Sequence, residues 1–239
     1  MAQLKILKKI DKITDTFIAR LDVTYEKIIA AIKTTDLADY EAITNLGASR
    51  ALVEEVLVAS GYYEVIADDI RYQQMVAIAQ EFYESTYSRD FLYSELTIQE
   101  LNAMKEAQFV RLNGLTADAR DALAQGILDA RFAGVALEEI VDTLEKTVSV
   151  KLKNYVNTWV DTATTTFWNT TSTKLAEDNG FVLFKYVGVS DRRTRAFCDA
   201  HIGEVKTKKE WDKLDNGNLN PVSIYRGGYN CRHILVGVE

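Results

Sequence analysis

The sequence is poor in proline, cysteine and histidine, and it places all of them in one stretch. Its 239 residues include one proline, Pro221, two cysteines, Cys198 and Cys231, and two histidines, His201 and His233. Two cysteines exclude the dense disulfide framework of a small secreted domain. Two histidines leave few imidazoles to serve as a general base. The residues able to carry site chemistry are therefore concentrated near the C-terminus.

Long apolar runs are also missing. No run approaches the roughly 18 residues that a membrane-spanning helix needs. The first twelve residues lack the apolar core and cleavage site of a signal peptide. We therefore expect a protein that is made in the cytoplasm and has no membrane span. With 47% hydrophobic and 26% charged residues, the chain has enough material for one large or two modest domains.

Positive charge is scarce outside the C-terminal stretch. The net charge is −7, whereas residues 181–239 hold ten Lys and Arg against seven Asp and Glu, so the rest of the chain carries −10. Broad binding to duplex DNA depends on cationic contacts to phosphates, and an acidic body argues against it. Local DNA contact remains a hypothesis for four residues of the C-terminal stretch: Arg192, Lys206, Lys208 and Lys209.

Glycine and proline divide the chain. The first 180 residues have six glycines and no proline, and the last 59 have six glycines and Pro221. Proline-free sequence with apolar residues every three or four positions is typical of helices. We predict a mainly α fold with an elongated helical N-terminal region and a short antiparallel sheet near the C-terminus. The predicted domains are 1–135 and 136–239, the second comprising a long helix at 150–178 and a small α+β lobe at 181–239.

The N-terminal region opens with an apolar stripe that predicts a helix of about thirty residues. Its members are Leu4, Leu7, Ile10, Ile13, Phe17, Leu21, Tyr25, Ile28 and Ile32. The stripe is typical of a bundle helix, and a partner-docking or coiled-coil helix is the functional alternative. Further along, Thr97 and Glu100 predict a capping box that opens a helix, and Asn113-Gly114 predicts its end.

The C-terminal lobe has strand and capping signals. The β-branched and aromatic run from Phe181 predicts a strand that pairs with the run ending at Val238, and a short strand near Val222–Tyr225 is expected to join them. Thr207 and Glu210 predict a capping box that buries the following tryptophan.

The cysteines and histidines fall into two close pairs. Ser190 or Asp191 is expected to cap a short helix, on which residues three apart share a face. Residues two apart on a strand also point the same way. The predicted zinc ligands are Cys198, His201, Cys231 and His233. Two alternatives stay open: a Cys198–Cys231 disulfide, or buried thiols and hydrogen-bonded histidines without a metal.

Charged residues surround these pairs. Asp191, Arg193 and Arg195 are predicted to form an internal network that ties the helix start to the closing Gly-Gly-Tyr-Asn turn, and phosphate binding is the alternative. The full predicted network is Asp191, Arg193, Arg195, Asn230 and Arg232.

The order of these features resembles the C-terminal domain of phage Mu F-like minor head proteins, the head morphogenesis family. The matching pieces are Asp191-Arg-Arg-Thr-Arg, then Cys198, then Gly203, and finally Gly227-Gly-Tyr-Asn-Cys-Arg-His. The chain departs from the family at Val160-Asp-Thr-Ala, where an Ala-Arg-Thr-Glu-like segment is common. Any role of that Arg and Glu is therefore missing in this protein.

The resemblance covers residues 137–238 and implies a virion component. Such a protein is associated with the portal, enters the procapsid in multiple copies, contacts other head proteins and DNA, and acts in head morphogenesis and in DNA packaging or delivery. We expect no enzymatic activity. A metal-dependent nuclease or toxin-like enzyme using His201, Asn230 and His233 is the alternative. The sequence has no His-Glu-x-x-His, Gly-x-Ser-x-Gly or phosphate-loop motif to support it.

Overall fold

Helices dominate the protein, and a small antiparallel sheet lies near the C-terminus. The computed structural model describes residues 2–35, 37–67 and 70–239. The predicted class, mainly α with a small C-terminal α+β region, is confirmed. Within those ranges no helix combines the length and apolarity that crossing a membrane requires.

The elements follow in chain order. The helices are α1 (Ala2–Lys33), α2 (Leu37–Glu41), α3 (Leu46–Ala59), α4 (Tyr62–Ala67), α5 (Ile70–Tyr87), α6 (Glu95–Phe132), α7 (Leu137–Thr147), a π-helical segment (Val148–Asn154), α8 (Tyr155–Asp178), α9 (Ala196–His201), α10 (Lys208–Trp211) and α11 (Val222–Tyr225). The strands are β1 (Leu183–Val187), β2 (Val205–Thr207) and β3 (Ile234–Val238).

The described residues fall into two compact units. One draws on the segments Met1–Asp15, Asp69–Ala107 and Val160–Glu239, and the other on Thr16–Asp68 and Gln108–Trp159. Each unit is therefore discontinuous in sequence. The boundary between residues 135 and 136 was based on where the family-like motifs lie, and it stays a prediction.

Helix α1 has the predicted length, and its apolar stripe is buried. Phe17, Leu21, Tyr25, Ile28 and Ile32 are each at most 4% exposed. Ile6 and Ile10 belong to the core of the first unit. The side chains of Leu4 and Leu7 lie outside the described part of the chain. The burial of this stripe is what a bundle helix requires.

Helix α6 differs from the sequence-based expectation at both places where a boundary was predicted. Ser94, not Thr97, precedes the helix as its cap, because the Thr97 N–H donates to Ser94 Oγ at 3.1 Å. The helix then continues through Asn113-Gly114 to Phe132. One glycine costs only about 1 kcal/mol in a helix interior, less than the burial of Leu112 and Thr116 on either side contributes.

The second unit is tied by hydrogen bonds from buried side chains. Ser49 Oγ donates to the Ala124 carbonyl at 2.6 Å, and Tyr62 Oη lies 3.0 Å from Thr116 Oγ1. Tyr25 Oη donates to the Leu152 carbonyl of the π-helical segment at 3.1 Å. A π-helical turn shifts carbonyls out of the usual pairing, and a tyrosine hydroxyl is a suitable partner for one of them.

The sheet has the order β2-β1-β3, and both pairings are antiparallel. The predicted pairing of the run from Phe181 with the final strand is confirmed, with Lys185 opposite Val236. The expectation of a strand at Val222–Tyr225 is wrong, because these residues form the single helical turn α11 after Pro221. Proline cannot donate to a sheet ladder but suits the start of a helix. The third strand is β2, which the sequence did not indicate.

Candidate metal centre

A tight turn before α9 sets the position of Cys198. The Arg193 N–H donates to Asp191 Oδ1 at 2.8 Å, and Thr194 Oγ1 donates to the Val189 carbonyl at 2.8 Å. Aspartate and threonine favour such turns because their short side chains bond nearby backbone. Helix α9 begins only at Ala196, after an extended Arg195, so the predicted capping role of Ser190 or Asp191 is replaced by this turn.

After α9 the chain returns at once to strand β1. Gly203 has a positive φ of 89°, which glycine adopts without strain. Its N–H donates to the Tyr186 carbonyl at 2.8 Å, and the Tyr186 N–H donates to the Glu204 carbonyl at 2.9 Å. Both backbone groups of Tyr186 are thereby held beside the short helix.

The second half of the site comes from the loop before β3. Arg195 reaches across to this loop and donates to the Gly227 carbonyl at 3.0 Å and to the Tyr229 carbonyl at 2.6 Å. The loop then carries Cys231 and His233 into the interior. The arginine thus joins the start of α9 to the closing loop.

Three side chains with metal-ligand chemistry converge in this interior. Cys198, Cys231 and His233 are 2%, 4% and 2% exposed, and their potential ligand atoms all lie within 4.8 Å of one another. The two sulfurs are 3.8 Å apart and unbonded, and Cys231 Sγ lies 3.7 Å from His233 Nδ1. Together they form a buried cluster with two sulfur donors and one imidazole, able to hold a metal ion.

Two glycines make room for the cluster. A Cβ atom on Gly227 would overlap Cys198 Sγ and lie 3.2 Å from Cys231 Sγ. A Cβ atom on Gly188 would overlap the His233 ring. Both positions therefore exclude any larger residue while the cluster keeps its geometry, a requirement that the sequence alone did not reveal.

The two thiols differ in acidity. The hydrogen bond from Cys198 lowers the pKa of Cys231, and donation from His233 and from the Gly227 N–H acts in the same direction. That same pairing, with burial, raises the pKa of Cys198. Of the two thiols, Cys231 therefore has the lower pKa. A thiolate is the form that binds metals.

Tyr186 is a close neighbour that sequence reasoning missed. Its hydroxyl lies 3.4 Å from Cys198 Sγ and 3.9 Å from Cys231 Sγ. Its ring stacks on His233 with centroids 5.4 Å apart. Burial raises its pKa above the ordinary value, and the charge of Cys231 adds to that effect. The available sequence signal was Lys185 between Phe184 and Tyr186, because alternate residues of a strand share a face, and both aromatic residues are buried in β1.

His201 does not join the three residues. It follows Cys198 at the helical spacing of three, yet its Nδ1 lies 2.9 Å from Glu204 Oε2. Its ring packs edge-on against Phe197 and Trp211, with centroids 4.6 Å and 5.8 Å away. The ligand atoms that lie within 4.8 Å of one another belong to Cys198, Cys231 and His233, and no nitrogen of His201 is among them.

The predicted charged network is only partly one cluster. Arg232 donates to both carboxylate oxygens of Asp191. Asn230 is separate, since its Oδ1 accepts from Thr162 Oγ1 at 3.2 Å. The side-chain charge of Arg193 acts on Asp161, whose pKa is raised mainly by burial and is lowered in part by that arginine.

Of the basic residues considered for DNA contact, two are engaged by carboxylates. Lys206 pairs with Glu204 and lies over the Trp211 ring, 4.9 Å from its centroid. Lys208 Nζ is 3.5 Å from Glu177. Arg192 and Lys209 are exposed.

Arg226 is a buried cation close to the cluster in sequence. It is fully buried, and burial lowers its pKa to about 10. Its guanidinium donates to the carbonyls of Val222, Ser223 and Asn169 and to the Thr173 hydroxyl. No sequence motif indicated that this arginine, rather than those near Asp191, would be interior.

The fold and the site together define a mainly α protein with a buried two-cysteine, one-histidine cluster in a small C-terminal lobe. Comparison of the chain with protein-family models, with curated proteins and with solved structures finds no match.

Proposed function

We propose that Cys198, Cys231 and His233 bind a zinc ion that braces the C-terminal lobe. The observation that carries this proposal is the spacing of the donor atoms. Zinc–sulfur bonds of about 2.3 Å and zinc–nitrogen bonds of about 2.0–2.1 Å give tetrahedral edges of about 3.8 Å between sulfurs and about 3.6 Å between sulfur and nitrogen. The separations in the protein are 3.8 Å and 3.7 Å.

The donor types and their burial favour structural zinc. Thiolate and imidazole donors suit zinc, whereas calcium and magnesium take oxygen ligands. Cys198 and Cys231 are separated by 33 positions and belong to different elements, so one ion would cross-link them. Such a cross-link would stabilise the fold by fixing residues that are far apart in sequence.

Metal analysis tests the zinc proposal. The full chain, purified with reductant and without added metal, is expected to contain one equivalent of zinc, and removal by a chelator should lower its melting temperature. Cys231→Ser and Cys198→Ser should lose the metal. His201→Gln is the matched control and should retain it. Recovery of the two cysteines as a disulfide with no metal, or of two thiols with no metal, would contradict the proposal.

We propose further that the chain is a minor head protein of a phage, located in the virion and associated with the portal. The support is that the separate pieces of the Mu F-like resemblance meet in space. Asp191 from the first piece pairs with Arg232 from the last, and Arg195 bonds the closing loop.

Particle assembly tests the head proposal. The chain, co-expressed with its cognate portal and major capsid proteins, should sediment with procapsids in multiple copies. Arg195→Ala removes two bonds to the closing loop and should reduce incorporation, whereas the exposed Lys209→Ala should not. Wild-type chain that stays out of portal and procapsid fractions would contradict the proposal.

The observations support a structural role over a nuclease. His233 is 2% exposed, and a phosphodiester needs an accessible base. His201 is directed to Glu204, and Asn230 to Thr162. We therefore expect no DNA cleavage with magnesium, manganese or zinc. Arg192 and Lys209 remain the candidates for DNA contact during packaging. DNA affinity that decreases with salt, and that decreases when both residues are replaced by alanine, would support such contact.

A further inference from the structure

The three proposed zinc ligands leave one vertex of the tetrahedron to be filled. Structural zinc sites are almost always four-coordinate with protein ligands, whereas a water at the fourth vertex is typical of catalytic sites. The identity of the fourth ligand therefore decides what kind of centre this is. Because Cys198, Cys231 and His233 are buried, a fourth protein ligand has to be an interior side chain.

The Tyr186 hydroxyl lies close to both sulfurs of the cluster. A zinc–oxygen bond of about 2.0 Å beside zinc–sulfur bonds of about 2.3 Å gives an oxygen–sulfur edge of about 3.5 Å. The hydroxyl is 3.4 Å from Cys198 Sγ and 3.9 Å from Cys231 Sγ. Its ring also stacks on that of the third ligand, His233, at an angle of 21°. One oxygen thus approaches both sulfurs at close to ligand spacing.

We propose that Tyr186, as a phenolate, is the fourth ligand and closes the site as Cys198, Cys231, His233 and Tyr186. This inference rests on the zinc proposal above and extends it. When zinc binds, the phenolic O–H bond breaks, a zinc–oxygen bond forms, and the proton passes to the solvent. No change of oxidation state is involved. The site is then a closed structural centre without a position for a catalytic water.

The elements that supply the four ligands explain what such a centre would accomplish. Tyr186 lies in β1, Cys198 lies in α9, and Cys231 and His233 lie just before β3. Tyr186 is already fixed by backbone bonds to Gly203 and Glu204 and by ring packing on Trp211 at 5.3 Å. The ion would therefore lock the central strand to the short helix and to the final strand.

The surrounding charge agrees with an anionic centre. Zinc with two thiolates, a phenolate and a neutral imidazole has a net charge of −1. Arg226 is fully buried, and its hydrogen-bond partners among the described residues are carbonyls and a hydroxyl, with no carboxylate. Tyr186 and Cys231 are near enough for their charges, when they are ionised, to act on Arg226. A buried cation is costly unless an anion balances it, and this centre supplies one.

His201 is the other candidate for the fourth vertex, and it supplies the control. Its Nδ1 is engaged by Glu204, and its ring is held between Phe197 and Trp211. Replacing it should leave the four proposed ligands intact. Tyr186→Phe keeps the ring that packs on Trp211 and His233 and removes only the oxygen. The two variants therefore separate the two possible ligand sets.

The test is a zinc chloride titration of the metal-free, reduced full chain. Wild type and His201→Gln should both develop a tyrosinate absorption band and release the same number of protons. Tyr186→Phe should lack the band, release one proton fewer, and bind zinc at least about ten-fold more weakly. The chain has 12 tyrosines, and loss of the band in this variant assigns it to Tyr186. Circular dichroism checks that each variant is folded.

Each outcome decides the matter. Zinc binding to wild type without a tyrosinate band, and with the same affinity and proton release in Tyr186→Phe, would overturn Tyr186 as ligand and leave the zinc proposal standing. Loss of zinc in His201→Gln, with full binding in Tyr186→Phe, would assign the vertex to His201. Failure of the wild type to bind zinc at all would overturn both proposals.

Discussion

Arg232 forms a two-pronged ion pair with Asp191 across 41 positions of sequence, with Nη1–Oδ2 and Nη2–Oδ1 distances of 2.9 Å and 2.7 Å. The pair, helped by the Arg193 N–H, holds the pKa of Asp191 far below its usual 3.8. Planar bidentate geometry of this kind is specific to arginine. The ion pair therefore joins the turn before α9 to Arg232, which stands between Cys231 and His233 in the sequence.

This pair predicts a defined pH dependence of stability. A carboxylate whose pKa is depressed in the folded state contributes stability above its unfolded pKa and loses it as the pH falls through the folded pKa. Asp191→Asn should therefore lower the melting temperature, and the difference in melting temperature from wild type should be largest at neutral pH. The difference should shrink as the pH falls below 3.8. Arg232→Gln should behave alike. A difference that is constant between neutral and acidic pH would contradict this prediction.

Gly227→Ala tests the space beside the two thiols. The added Cβ would overlap Cys198 Sγ and crowd Cys231 Sγ. Forced overpacking of an interior costs about 1–3 kcal/mol, so the free energy of unfolding in denaturant should fall by that amount. Zinc content of the purified protein should fall with it. Gly126→Ala is the control, because its Cβ would meet only Leu144 at an ordinary 3.5 Å, and its stability should not fall.

Gly114→Ala tests whether α6 runs unbroken. A Cβ at Gly114 would meet no atom within 4 Å, and the residue has no positive φ. Alanine should therefore stabilise the protein by up to about 1 kcal/mol, measured by urea unfolding. Gly134→Ala should instead destabilise it, since that glycine has a φ of 70°. If Gly114→Ala destabilised the protein, that result would support a helix end at Asn113-Gly114 and contradict a continuous α6.

Leu21→Ala tests the role of the α1 stripe. Leu21 is 0% exposed, and truncating a fully buried leucine costs about 2–5 kcal/mol. Val23, two positions away, is 58% exposed, and Val23→Ala should change the free energy of unfolding by less than about 0.5 kcal/mol. If the two substitutions changed the melting temperature equally little, the apolar stripe of α1 would not contribute to the core, and a partner-docking helix would be favoured.

Features encoded over a few residues could be predicted from the sequence. The capping box of Thr207 and Glu210 is present, and Trp211 behind it is fully buried. The continuous stripe of α1 and the β-branched runs of β1 and β3 also formed the expected elements. In each case the preference is local, arising from side-chain periodicity, from backbone propensity or from bonds between near neighbours.

Two predictions from local sequence signals were wrong because contacts with residues distant in sequence outweighed the local preference. Asn113-Gly114 is a common helix end, yet α6 continues because buried residues on both sides outweigh one glycine. Val222–Tyr225 has strand-forming residues, yet it turns as α11. The carbonyls of Val222 and Ser223 there accept from the buried Arg226, a partner set that propensity does not encode.

The sequence by itself predicted that Cys198 and Cys231 lie close together, because the chain has no other cysteine and each of the two stands near a histidine. Only the tertiary structure decided which imidazole accompanies them. His201 has the helical spacing to Cys198, but its nitrogens lie outside the group of ligand atoms that converge, whereas the His233 ring enters the interior through space that Gly188 leaves open. The spacing of residues along a helix or strand determines the direction in which a side chain points. Which side chain it contacts depends on the residues that other elements place nearby.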